Sequence, residues 1–156
     1  MNKNLLKKDR MRFVKNKMSA NLVYLSIIFN VLYFVSIYSS DVANYYYSRL
    51  IGVSVIYNLL FLLSAFLCSE GLKNYKMSYS IVIAVVGLLQ FVRILGFPTD
   101  ASNTVLENVG RVMEKKQQIY TITMLCLSGA SALAAGAVGL ARTLILEKYK
   151  NSTGNE

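Results

Sequence analysis

Histidine is absent from this chain, and with it go the commonest general base and the commonest nitrogen ligand for a metal. The two cysteines, Cys68 and Cys126, stand far apart. No CxxC, no HExxH and no glycine-rich phosphate loop occurs. A metal enzyme needs a clustered ligand set, and isolated cysteines with dispersed carboxylates do not make one. Acidic residues are also scarce, eight against seventeen Lys and Arg, and none falls inside the long apolar runs described below. That argues against a small proton-coupled exporter, which depends on a carboxylate at membrane depth. A serine nucleophile would find neither a histidine base nor a lysine at that depth. These absences point away from an enzyme, and no cofactor is expected.

What the chain has instead is apolar length. Residues 20–39, 50–68, 80–97 and 119–146 form four runs with few charges in or between them. A helix rises about 1.5 Å per residue and the hydrocarbon core is about 30 Å thick, so about 20 apolar residues cross it. The first three runs match one crossing each; the fourth is longer and should tilt or project. The expected fold is therefore an all-α polytopic membrane protein, with four transmembrane helices in an antiparallel bundle. A basic cytoplasmic segment (1–19) precedes the bundle and a cytoplasmic tail (147–156) follows it. The apolar stretch ending near Ser39 exceeds a signal-peptide core and lacks a good small-x-small site after it, so it reads as an uncleaved first span.

Orientation follows from the basic residues. Placing both termini inside puts Lys3, Lys7, Lys8, Arg10, Arg12, Lys15, Lys17, Lys73, Lys76, Arg142, Lys148 and Lys150 on the cytoplasmic side. Arg49, Arg111, Lys115 and Lys116 then lie outside, and twelve against four is the bias that retains loops in the cytoplasm. The N-terminal cluster, with Lys7, Lys8, Arg10, Arg12, Lys15 and Lys17, stands directly before a span. Anionic lipid headgroups are its expected partner there, not nucleic acid.

Within this frame several features carry finer expectations. Asn21, Asn30 and Asn58 place amides at membrane depth, where they prefer a helix neighbour to lipid. Arg93, near the outer end of span three, is expected to snorkel to the interface. Gly71 offers the backbone freedom for the inner turn, 69–76. Tyr45-Tyr46-Tyr47 in the first outer loop make an aromatic belt or a contact surface for an outer partner. Thr104 and Glu107 match a capping box, and Val105, Leu106, Val109, Val112 and Met113 recur at helical spacing. They predict a short outer amphipathic helix over 104–118, before span four. In span four, Ser128, Ala132 and Gly136 repeat every four residues, as do Ala135 and Gly139. Such small faces let another helix approach closely, either within the bundle or on a partner subunit.

The basic lead Lys7-Lys8-Asp9-Arg10-Met11-Arg12-Phe13, the run Ser19-Ala20-Asn21-Leu22-Val23-Tyr24 and the turn Cys68-Ser69-Glu70-Gly71 together resemble small uncharacterised four-span membrane proteins associated with sugar ABC-importer systems of Gram-positive bacteria. The resemblance covers most of the chain. It implies a bacterial cell-membrane protein acting beside a permease, as a non-catalytic accessory or regulatory subunit whose ATPase and substrate site lie on other chains. No catalytic or binding residue is carried over from it. A self-sufficient small transporter or homo-oligomeric pore is the alternative.

The charge asymmetry makes a direct prediction. In a background lacking Cys68 and Cys126, single cysteines at Asn2 and Asn155 should label only after permeabilisation, and those at Asn44 and Ser102 in intact cells. External labelling of either terminus would overturn the orientation.

Overall fold

A computed structural model of the chain describes residues 13–38, 50–96, 98–99, 103, 105–106, 110–111 and 113–153. Four long helices dominate them: α1 (Lys17–Tyr38), α2 (Leu50–Lys73), α3 (Met77–Ile94) and α4 (Lys115–Thr153). All four are long and apolar enough to cross a membrane, which makes this a multi-pass membrane protein. At 39 residues α4 extends about 58 Å, well beyond one bilayer core, and stays helical through 147–153 where a tail was expected.

The short turn between α2 and α3 departs from expectation. Gly71 is not its pivot; it is helical and buried. A Cβ there would run into the Tyr79 ring, so this glycine serves close approach between the two helices. The reversal comes at Tyr75, whose φ of 55° is left-handed. The Tyr75 N–H donates to the Leu72 carbonyl (3.2 Å) and the Lys76 N–H to that of Gly71 (3.1 Å), the 5→2 and 6→1 bonds that close a helix C-terminus. A left-handed non-glycine is uncommon, and here the Tyr75 hydroxyl is anchored on the Val14 carbonyl at 3.1 Å.

The expected outer amphipathic helix is also corrected. Val105–Leu106 (β1) pairs antiparallel with Gly110–Arg111 (β2), Val105 opposite Arg111 and Leu106 opposite Gly110. Helix resumes only at Lys115. The apolar spacing misled because the segment is rich in β-branched valine and contains Asn108 and Gly110, all weak helix formers. Its apolar residue Met113 is 1 % exposed and packs against Tyr33, Ile37 and Leu125.

α4 packs extensively against α3 and α1, while α2 is held mainly by α1 and α3. Contacting residues run in opposite order along each pair: Ser26 meets Ser128, Gln117 reaches Ser36, and Arg142 reaches Asn16. On the α3 side, Gly136 meets Ala84 and Gly87 meets Ala132. Two apolar clusters fill the interior. One is built around Val23, Phe61, Ala65, Ile83, Ala132 and Ala135, the other around Tyr33, Ile37, Met113 and Leu125. Polar residues lie between them.

Backbone proximity sets the α3–α4 contact. A Cβ on Gly136 would stand 2.9 Å from the Ala84 Cβ and 2.9 Å from the Ser80 carbonyl oxygen; one on Gly129 would stand 2.7 Å from Phe91. Lipid gives no hydrophobic drive to bring helices together, so van der Waals contact of this kind must supply the attraction. Gly136→Leu is therefore expected to destabilise the isolated bundle by about 1–3 kcal/mol in detergent thermal unfolding, while Leu140→Ile costs less than about 1.5 kcal/mol. Equal melting of Gly136→Leu and wild type would contradict this packing.

Candidate functional site

Three helices each bring polar groups one turn apart to a common level. α1 supplies Asn30 and Tyr33, α2 supplies Ser54, Tyr57 and Asn58, and α3 supplies Gln90 and Arg93. Spacings of three and four residues put each set on one helix face, which is why they can meet. Gln90 Nε2 donates to Asn30 Oδ1 at 3.1 Å, and Asn30 Nδ2 donates to Asn58 Oδ1 at 3.3 Å. Asn58 Oδ1 also accepts from Arg93 Nη1 at 2.7 Å, and Arg93 Nη2 donates to Ser54 Oγ at 2.8 Å. The guanidinium carbon lies 4.4 Å from the centre of the Tyr33 ring and 4.8 Å from that of Tyr57. Asn30 and Gln90 are fully buried and Asn58 is 2 % exposed. Asn58 Nδ2 and Gln90 Oε1 have no hydrogen-bond partner among the described residues.

Arg93 therefore does not simply snorkel away from the bundle. It sits one residue before the end of α3 and turns its head to α2 and to two aromatic faces. Among the described carboxylates, Glu70, Glu114 and Glu147, none pairs with it; Glu70 pairs with Lys73. The sequence flagged Asn30, Asn58 and Arg93 separately. The missing signal was their register: Gln90 and Arg93 are three apart, as are Asn30 and Tyr33, and Ser54 and Asn58 are four apart, so each helix carries one polar face.

Two further ties hold the bundle. Ser26 and Ser128 clasp α1 to α4 reciprocally, each hydroxyl donating to the other residue's carbonyl, at 2.7 and 3.0 Å. At the other end Asn16 caps α1: its Oδ1 accepts from the Ser19 N–H (3.4 Å), and its own backbone N–H reaches the Lys73 carbonyl (3.0 Å). Arg142 Nη1 donates to the same Asn16 Oδ1 at 2.8 Å, bringing α4 to the joint. Sequence reasoning missed Asn16, although an Asn a few residues ahead of an apolar run is a recognisable cap.

The small residues of α4 face the chain's own helices. Ser128, Ala132 and Ala135 are fully buried, and Gly136 and Gly139 are buried against Ala84, Ser80 and Leu72 of α3 and α2. The close helix contact anticipated for them is made inside the bundle, while Ala130, Ala134, Ala137 and Ala141, on another face of α4, stay exposed. Lys15 and Lys17 are exposed beside the start of α1. Lys7, Lys8, Arg10 and Arg12, and Tyr45, Tyr46 and Tyr47, lie outside the described residues. No group of side chains among the described residues is arranged to hold a metal ion. Both cysteines are free, Cys68 as a filler of the apolar interior.

No protein-family model matches the chain, and no curated protein or solved structure is significantly similar to it.

Chemically, the Arg93 layer offers a fixed positive charge and neutral hydrogen-bonding groups. It can tie helices and attract an anion. Asn58 is its hinge, since one oxygen serves two donors. Asn58→Leu should cost about 1–2 kcal/mol of bundle stability, and Arg93→Lys should be less stable than wild type because an ammonium cannot keep the paired bonds and both ring contacts. In a double-mutant cycle the Asn58→Leu and Arg93→Leu losses should be less than additive. Additive losses, or an Arg93→Lys variant as stable as wild type, would show the contacts to be incidental.

Proposed function

We propose that the chain is a non-catalytic accessory or regulatory subunit of a larger bacterial membrane complex. The host we favour is a transporter such as an ABC importer, in which the chain packs beside a permease as an antiparallel four-span bundle with both termini cytoplasmic. The observation that carries this reading is how the interior polar groups are used. Asn30, Asn58, Gln90, Arg93, Ser26, Ser128, Asn16 and Arg142 bond one helix to another and do not converge on an open polar cavity. Polar side chains used this way act as glue between membrane helices. Toward the lipid the helices present large apolar residues, such as Ile28, Val31 and Val35 on α1 and Leu59, Leu63 and Phe66 on α2. With Ser128, Ala132 and Gly136 occupied inside, a permease would dock on these outward faces or on the exposed Ala130, Ala134, Ala137 and Ala141 of α4. The basic twelve-to-four asymmetry supports the orientation.

Affinity purification from native membranes in mild detergent is the test. The proposal expects a permease and its ATPase to be recovered with the tagged chain at constant ratio. Recovery of a homo-oligomer alone, conducting ions in liposomes, would replace it with the pore alternative.

A further inference from the structure

Arg93 stands at the head of a groove. On α3, Val86, Leu89 and Arg93 lie on one face at three- and four-residue steps, and on α2 Tyr57, Leu60, Phe61 and Ser64 do the same. The first two of α3 and all four of α2 line an apolar recess of about 190 Å³ between the helices. Leu60 and Leu89 are 58 % and 45 % exposed, so the recess opens toward the bilayer. Tyr57 belongs to both parts: it lines the recess, and its ring stacks on the Arg93 guanidinium. From Arg93 to Val86 the groove descends seven residues, about 10 Å of helix rise. Its polar end is at the end of α3, where the chain leaves the apolar helix.

We propose that this groove seats an acyl chain of an anionic phospholipid whose phosphate pairs with Arg93. The charge argument selects the occupant. Arg93 has neutral partners, the Asn58 amide, the Ser54 hydroxyl and two aromatic faces, and none of the described carboxylates balances it. Arg93 is partly exposed and keeps its positive charge near the end of α3, and phosphate is the anion that the bilayer itself delivers at that depth. Its two bonds use two of the five guanidinium N–H donors, and a planar fork suits phosphate oxygens. An acyl chain, entering sideways from the lipid, fits the aliphatic lining below. A water-soluble phosphate would gain nothing from that lining.

The absence of tryptophan from the chain allows a local probe. Leu63→Trp, beside Ser64 and 58 % exposed, reports on the groove; Ile28→Trp, 54 % exposed on α1, is the control. The full chain is reconstituted in phosphatidylcholine, and quenching is titrated with dibrominated phosphatidylglycerol or dibrominated phosphatidylcholine of equal chain length. The groove probe should prefer phosphatidylglycerol about fivefold, the scale of one basic residue near the surface, and the Ile28→Trp probe should show no preference. Arg93→Gln in the Leu63→Trp background should abolish the preference, and Arg93→Lys should retain part of it. Survival of the preference in Arg93→Gln would place the anionic lipid elsewhere and overturn the proposal. So would a preference missing from the Leu63→Trp chain that emerges only after Asp41→Asn, Asp100→Asn and Glu107→Gln together, since Arg93 would then be neutralised by the chain's own carboxylates. Millimolar inorganic phosphate should leave the quenching unchanged; relief by phosphate alone would make this a soluble-anion site.

Discussion

Lipid is as apolar as leucine, so burying leucine against leucine brings membrane helices no closer than lipid would hold them. What can draw them together is surface so small that backbones touch, and in this chain α4 carries it. Gly129, Gly136 and Gly139 meet α3 and α2 where a Cβ would not fit, and Ala132 and Ala135 are buried beside them. From that contact the rest of the architecture follows. α4 becomes the helix against which α1 and α3 are laid. Its serine at 128 comes near enough to clasp Ser26, and large aliphatic side chains are left to face the bilayer.

α2 meets α4 through Leu72 at Gly139 and is otherwise retained largely by different means. At one end the α2–α3 turn and the Asn16 joint hold it, with Gly71 letting Tyr79 cross closely. Toward the other end it depends on Asn58 and Ser54, which receive Arg93 and Asn30. A polar tie in hydrocarbon is directional and leaves room beside it. On the α2–α3 side an apolar recess lies beside that tie. Structural tie and lipid site are thus two consequences of placing one arginine near the end of α3.

Apolar length, read against bilayer thickness, placed all four spans to within a few residues at most ends, because the relevant physics is local and additive along the chain. The extents of α2 and α4 were underestimated. Glu70, Lys73 and Glu147 are charged, yet each continues a helix already nucleated by its apolar part. The 104–118 segment failed for the opposite reason: periodicity was present, but valine, Asn108 and Gly110 weaken the helix it would need. Of the Arg93 layer, Asn30, Asn58 and Arg93 were legible in the sequence, Tyr33, Ser54, Tyr57 and Gln90 were not, and none of the meetings was. Which amide faces which depends on helix rotation, and rotation is set by the small faces of other helices. The same limit applied to Ser128, Ala132 and Gly136, whose spacing announced close packing without saying against what.

The central claim is that the small face of α4 is turned into its own bundle, with Ser128 against Ser26. Ser26→Cys with Ser128→Cys, in a chain lacking Cys68 and Cys126, tests it in native membranes. Both serines are fully buried and their hydroxyl oxygens lie 3.1 Å apart, near enough for a disulfide after small adjustment. Oxidation should produce an intrachain bond, seen as a monomer with altered mobility that reduction reverses, and neither single variant should give it. Disulfide-linked dimers from the double variant, or no bond at all under conditions that oxidise an exposed pair, would mean that α4 presents this face to another chain.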